Sequence, residues 1–157
     1  MKVRTITLED ASALNRLFQQ VDRDHLQMVP HVFKAYEGDA ITREQLATIL
    51  EKDTQTVIGA FDGEDLIGYA HLVIRPARND PNFQSYSTLY ISSVAVDDQR
   101  KGQGLGRILM NAIEAKAKEF GCRDVVLDVW QANTSAIGFY EHLGYGVDLL
   151  KMSKRVK

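Results

Sequence analysis

The chain has 157 residues, 45% of them hydrophobic and 25% charged, with a formal net charge of −2. That length predicts one domain spanning 1–157 with a sizeable core, and the lone Cys122 rules out an internal disulfide. The near-neutral charge excludes nucleic-acid binding as the main role, and the lack of a signal-peptide core or a spanning apolar run predicts a cytoplasmic protein with no membrane partner.

Residues 2–7 alternate and predict a first strand. Thr7 and Asp10 form a capping-box pattern for a helix with Ala11, Leu14, Leu17, Phe18 and Val21 on one face. Residues 22–40 carry no clear period, and Pro30 breaks any long helix there. A second capping box, Thr42 to Gln45, starts a helix bearing Leu46, Ile49 and Leu50. QTVIGAFDGEDLIGYAHLVI then reads as two strands joined by Asp-Gly-Glu-Asp, a hairpin signal. RPARNDPNFQSY is a loop rich in Pro and Asn, and STLYISSVAV is a strand that runs into a glycine segment.

After the glycines a helix places Leu105, Ile108, Leu109, Ala112, Ile113 and Phe120 on one face, with Gly121 as its stop. Cys122 follows as a small buried hydrophobe, opening the near-continuous apolar strand RDVVLDVW, which predicts burial on both faces. A last helix, capped by Asn133 and stopped by Gly144, carries Ala136, Phe139, Tyr140 and Leu143. A final strand is expected at 145–153. Hairpin strands followed by a β-α-β unit predict a mixed α/β fold with helices on both faces of the sheet.

The segment VAVDDQRKGQGLGRILM carries the chemistry. A strand, glycines at 102, 104 and 106 and a helix start form a natural phosphate site. Glycine lets an anion approach the backbone, and the first helical N–H groups lack internal partners. Arg100, Lys101 and Arg107 add charge. A Walker A loop is excluded, because Gly-Lys-Ser/Thr is missing. A dinucleotide fingerprint is excluded as well. The spacing is G-x-G-x-G, and Asp124 opens the next strand, where a ribose-binding carboxylate would close it.

The segment resembles the acetyl-CoA pyrophosphate loop of the GNAT superfamily of N-acetyltransferases, with Gln99, Gly102 and Gly104 on the Gln/Arg-x-x-Gly-x-Gly/Ala pattern. VWQANTSAIGFYEHLGY, residues 129–145, resembles the second half of the same signature. The resemblance implies a central mixed sheet of about six to seven strands with helices on both faces. It implies acetyl-CoA as co-substrate, held by the backbone of Val94, Ala95 and Val96 and by Gln99, Arg100, Lys101, Gly102, Gln103, Gly104, Leu105 and Gly106. Asn133 is the implied pantetheine contact, although it is also the expected helix cap.

Tyr140 matches the tyrosine that protonates the departing thiolate, while its helical spacing also suits a core position. Family members with a fourth-strand glutamate differ from this chain, which reads YISS there. Asp128, in LDVW, is the implied base, acting directly or through water, and His71 is a lesser candidate better read as a hydrogen-bonded core histidine. The segment VDRDHLQMVPHVF would border the acceptor, with Asp22 and Asp24 either attracting a cationic amine or simply solvated. No metal site is expected, since His25, His31, His71 and His142 lack ligand spacing.

The expectation is therefore an acetyl-CoA-dependent N-acetyltransferase acting on a small-molecule or peptide primary amine by direct attack in a ternary complex. A catalytically silent acyl-CoA-binding module is the alternative. Whether the final strand pairs within the chain or across a homodimer is left open.

Overall fold

A computed structural model describes residues 1–157. Its strands are β1 (Lys2–Thr5), β2 (Gln55–Asp62), β3 (Asp65–Arg75), β4 (Thr88–Val96) and β5 (Asp124–Leu127). Its helices are α1 (Ala11–Met28), α2 (Arg43–Leu50), α3 (Leu105–Glu119) and α4 (Thr134–His142). The strands lie side by side in chain order, antiparallel from β1 to β4 and parallel between β4 and β5. Only the last pair needs a crossover, and α3 supplies it.

Local chemistry sets the element ends. The Thr7 N–H donates to the Asp10 carboxylate at 2.8 Å, and α1 begins one residue later, after a short 3-10 turn. Thr42 and Gln45 exchange reciprocal bonds at 2.9 and 3.1 Å ahead of α2. Pro30 follows closely on the end of α1, as the restriction on residues before proline requires.

Strand alternation divides the core into two layers. Val57, Phe61 and Tyr69 pack with Leu14 and Leu17 of α1 and Leu46 of α2. Ile58, Ala70, Leu72, Leu89 and Ile91 pack instead with Met110 and Ile113 of α3. Buried Cys122 joins the second layer. The sheet thus lies between helices on both faces. No helix is long and apolar enough to cross a membrane.

The C-terminal end revises two expectations. Strand β5 stops at Leu127 instead of running to Trp130, and its residues are half-buried where burial on both faces was expected. The final strand expected at 145–153 is not formed, because residues 146–157 lie exposed with no neighbouring strand to bond them. The sheet therefore has five strands where six to seven were expected, and β5 is its edge.

Candidate active site

Beyond Ile91 the sheet forks. β4 pairs with β5 from Thr88↔Asp124 to Ile91↔Leu127 and no further. At the same point the β3–β4 register slips: Leu72 faces Ile91 and His71 faces Ser93, which leaves Ser92 as an extra residue. Such a bulge bends and twists its strand, here turning Ser93–Val96 away from β5. Val94, Ala95 and Val96 keep their β3 partners but have none on the β5 side. The fork opens into a cavity of about 240 Å³ whose lining includes Val21 and His25 of α1, Tyr90 to Val94 of β4, Asp128, Trp130, Asn133 and Tyr140.

At one end of the fork lies the glycine loop. Gly102 and Gly104 both sit at φ +78, the left-handed region that glycine enters without strain. A Cβ at either would meet no protein atom within 4 Å, so the space over the loop is open. The backbone N–H groups from Lys101 through Arg107 find no acceptor in the chain; the first such bond is Ile108 to the Gly104 carbonyl, at 3.2 Å. Unpartnered donors at the positive end of α3 suit a phosphate, so the residues present fit the pyrophosphate of a CoA group.

The loop's side chains divide by role. Gly106 lies within α3, and a Cβ there would come to 3.0 Å from the Phe139 ring, so this glycine permits α3 and α4 to pack closely. Arg100 pairs with Asp62 at 3.1 Å and Lys101 pairs with Asp98. Arg107 is exposed.

Helix α1 anchors the loop. Gln20 is buried; its Nε2 donates to the Val96 carbonyl at 2.9 Å, and its Oε1 accepts from the Asp98 N–H at 3.1 Å. Arg16 donates to Asp97 at 2.7 Å and to the Leu66 carbonyl at 3.1 Å. Asp97 in turn accepts from the Gln99 N–H at 3.0 Å. Burial opposes the Asp97 charge, but the Gln99 N–H and Arg16 outweigh it and hold the carboxyl below its usual range.

Tyr140 stands at the other end, edge-on to Phe139 and Tyr145 with centroids 5.4 and 5.8 Å away. Tyr140 is one of the residues that line the cavity, its hydroxyl makes no hydrogen bond within the chain, and burial pushes its pKa above the usual phenol value. Asn133, also a lining residue of the cavity, accepts from the Ala136 N–H at 3.2 Å through Oδ1, which caps α4 and leaves its amide nitrogen without a partner in the chain. Asp128 lies exposed just past β5, not within it, and accepts from the Tyr90 hydroxyl at 2.8 Å. The Arg75 guanidinium stacks over the Tyr90 ring at 3.6 Å. His71 bonds Gln55 at 2.8 Å, and burial lowers its pKa, as befits a core histidine.

The side of the cavity toward α1 is aromatic. His25 stacks on Phe33 at 5.0 Å, and Phe33 meets Trp130 edge-on at 5.6 Å. Asp22 accepts from the Tyr36 hydroxyl at 2.5 Å. No group of three or more His, Cys, Asp or Glu side chains is placed to hold a metal ion.

The structure thus brings Val94, Asp128, Asn133 and Tyr140 to one cavity and sets the glycine loop beside it. Sequence reasoning missed Gln20, Arg16, Asp97, Tyr90 and the bulge at Ser92. Gln20 left a signal, a polar residue three positions after Leu17 where the helical repeat asks for an apolar one. The bulge left none.

The family model described as the acetyltransferase (GNAT) family matches residues 16–145. The chain belongs to the GNAT acetyltransferase family. Among curated relatives of this GNAT chain, the spermine/spermidine N(1)-acetyltransferase of Bacillus subtilis is 25% identical over 89 residues, covering 56% of this chain and 57% of the relative. The mycothiol acetyltransferase of Geodermatophilus obscurus is 31% identical over 86 residues, covering 55% and 27%. The chain thus spans from about a quarter to just over half of these relatives' lengths. A crystal structure of a mutant of the BH1408 protein from Bacillus halodurans superposes at TM-score 0.94 with 26% identity over 100% of both chains. Aminoglycoside N-acetyltransferase AAC(6')-Iy in complex with CoA superposes at TM-score 0.73 over 99% of both chains, with 17% identity, a likeness of fold alone.

Proposed function

We propose that residues 1–157 form a single N-acetyltransferase domain that moves an acetyl group from acetyl-CoA to a primary amine by direct attack in a ternary complex. The observation that carries this reading is the β4–β5 fork, with unpartnered loop N–H groups at one end and a phenol without a hydrogen-bond partner at the other. In this reading Val94–Val96 bind the pantetheine arm through their backbone groups, as a strand would. Asn133 orients the same arm with its amide nitrogen while its oxygen caps α4. The loop from Gln99 to Gly106 receives the pyrophosphate, and Gln20 holds that loop against β4.

Acetyl-CoA supplies an activated acyl group; transfer breaks the thioester and forms an amide. Tyr140 holds the proton that the departing sulfur needs, and its raised pKa keeps the phenol protonated throughout the neutral range. Asp128, positioned by the Tyr90 hydroxyl, takes the proton from the amine, directly or through water. That service matters because a free ammonium has a pKa of ~10.4, so supplying the neutral amine at pH 7.4 costs on the order of 4 kcal/mol. No nucleophilic cysteine is available for a covalent acyl-enzyme, since Cys122 is buried in the core. The relative named for spermine and spermidine supports a small cationic amine as acceptor.

Thiol release from acetyl-CoA across a panel of amines tests the proposal. Turnover is expected with at least one polyamine or amino sugar, with kcat falling in Tyr140→Phe by roughly 10²- to 10⁴-fold and acetyl-CoA affinity unchanged. Binding of acetyl-CoA without turnover on any amine would favour a silent acyl-CoA-binding module, and failure to bind it would sink both readings.

A further inference from the structure

A tyrosine buried beneath the fork fixes the polarity of a serine that lines it. Tyr69 on β3 is 0% exposed, and Phe18 of α1 stacks on its ring with centroids 4.7 Å apart. The Tyr69 hydroxyl has one partner in the chain, the Ser93 Oγ at 2.5 Å. Ser93 stands where the fork opens, one residue past the extra Ser92, and is among the residues lining the cavity.

Either oxygen could donate in that bond, and burial decides between them. If Ser93 donated, the Tyr69 O–H would be sealed in the core with no acceptor, the costly arrangement for a buried polar group. Tyr69 is therefore the donor. Burial also raises its pKa, so the phenol keeps the proton it shares. The Ser93 Oγ then acts as acceptor, and its own hydrogen makes no bond within the chain. Ser93 is half-buried and borders the cavity, so that hydrogen is offered there.

The course of the donor arm says what comes to meet it. With the pyrophosphate on the Gln99–Gly106 loop and pantetheine laid along Val96 to Val94, the arm runs back along β4 toward the bulge. The next residue on that path is Ser93, so the thioester arrives beside it. Attack by the amine nitrogen forms the N–C bond and moves the carbonyl π pair onto the acyl oxygen. A donor already oriented stabilises that charge without reorganising. We infer that the Ser93 hydroxyl, oriented by the buried Tyr69 phenol, donates the hydrogen bond that stabilises this oxyanion. When the oxyanion collapses, the C=O bond re-forms and the C–S bond breaks. Tyr140 protonates the sulfur and Asp128 holds the amine proton, so Ser93 shares its hydrogen and loses none. Ser93 is thus a catalytic residue and Tyr69 a positioning residue, an assignment that rests on the acetyltransferase reading above.

Infrared spectroscopy of bound acetyl-CoA, labelled with heavy carbon at its carbonyl, tests this on the full chain beside steady-state kinetics. The bound carbonyl band is expected below its frequency in free acetyl-CoA. It is expected to return toward the free value in Ser93→Ala and part of the way in Tyr69→Phe, with acetyl-CoA affinity kept in both. On any amine the wild type acetylates, kcat is expected to fall by about 10²- to 10³-fold in Ser93→Ala. That variant leaves the Tyr69 phenol unpaired, so Tyr69→Phe combined with Ser93→Ala, which removes both oxygens, serves should the single change fail to fold. Where all fold, Tyr69→Phe should change nothing further once Ser93 is alanine, the mark of a residue acting through another. A band unmoved in the alanine variants would overturn the inference and leave the transferase standing, and a wild-type band in Tyr69→Phe would remove the positioning role. A chain that binds no acetyl-CoA would overturn both readings.

Discussion

Gly104 and Gly106 are two residues apart and do different things. Gly104 holds φ +78 under open space, so alanine there pays the left-handed strain and projects a methyl where the loop N–H groups point. Gly104→Ala is expected to cost about 1 kcal/mol of stability, yet to weaken acetyl-CoA at least about tenfold. Gly106→Ala should reverse the balance, because its methyl meets Phe139 at 3.0 Å and not the ligand side; melting temperature falls while affinity is largely kept. Denaturant unfolding beside CoA titration of both variants checks the contrast. Asp128 gives a second test, in the pH dependence of the rate. If Asp128 takes the amine proton, Asp128→Asn must rely on amine that is already neutral, a fraction that rises about tenfold per pH unit below ~10.4. The logarithm of its rate is then expected to climb with a slope of about 1 from pH 7 to 9, while the wild type climbs less steeply. Tyr140 does not interfere in this window, since burial raises its pKa and the phenol stays protonated. Equal slopes in the two proteins would remove Asp128 from the proton path.

Elements show why parts of this chain were legible and others not. The helices with capping boxes, the Asp-Gly hairpin and the glycine loop all announce themselves through local chemistry, and the structure forms each of them. The places of Tyr140 and Asn133 in the fold were legible for the same reason, as they sit in a contiguous motif on one short helix and its cap. The fork was not, because it depends on a register slip at Ser92 between β3 and β4, and pairing registers leave no mark in a single strand's own pattern. The missing last strand failed for a related reason. The apolar pattern of 145–153 specifies a strand but not which sheet edge receives it. Gln20 is the long-range link that joins these scales, tying α1 to both the end of β4 and the start of the loop. Gln20→Ala leaves the Val96 carbonyl and the Asp98 N–H without their partner, at a cost of about 2 kcal/mol. The expected result is a lower melting temperature together with weaker CoA binding, measured by thermal unfolding and calorimetric titration. A variant that unfolds earlier but binds CoA as before would reduce Gln20 to a packing role.

At the scale of the whole molecule the fork is a gap in an otherwise continuous sheet. β1 to β4 form one continuous antiparallel ladder, while β5 joins β4 through four residue pairs and packs against α3. A ligand that fills the fork with an extended arm therefore does more than occupy a pocket, since it lends β4 a partner where β5 has departed. Ligand binding to the folded state alone stabilises it by about 2.7 kcal/mol at 100 times the dissociation constant. For a domain of this size each kcal/mol moves the melting temperature by about 2–4 °C, so CoA at that level is expected to raise it by roughly 5–11 °C. ADP carries a pyrophosphate but no pantetheine arm. If the loop alone made the site, ADP and CoA at equal multiples of their dissociation constants would differ only in the concentration needed, and the two would affect the β4 amides alike. With the arm acting as a strand, CoA should slow exchange at Ser93–Val96 and ADP should not. Protection of those amides by ADP would place the stabilisation in the loop and remove the fork from the binding site.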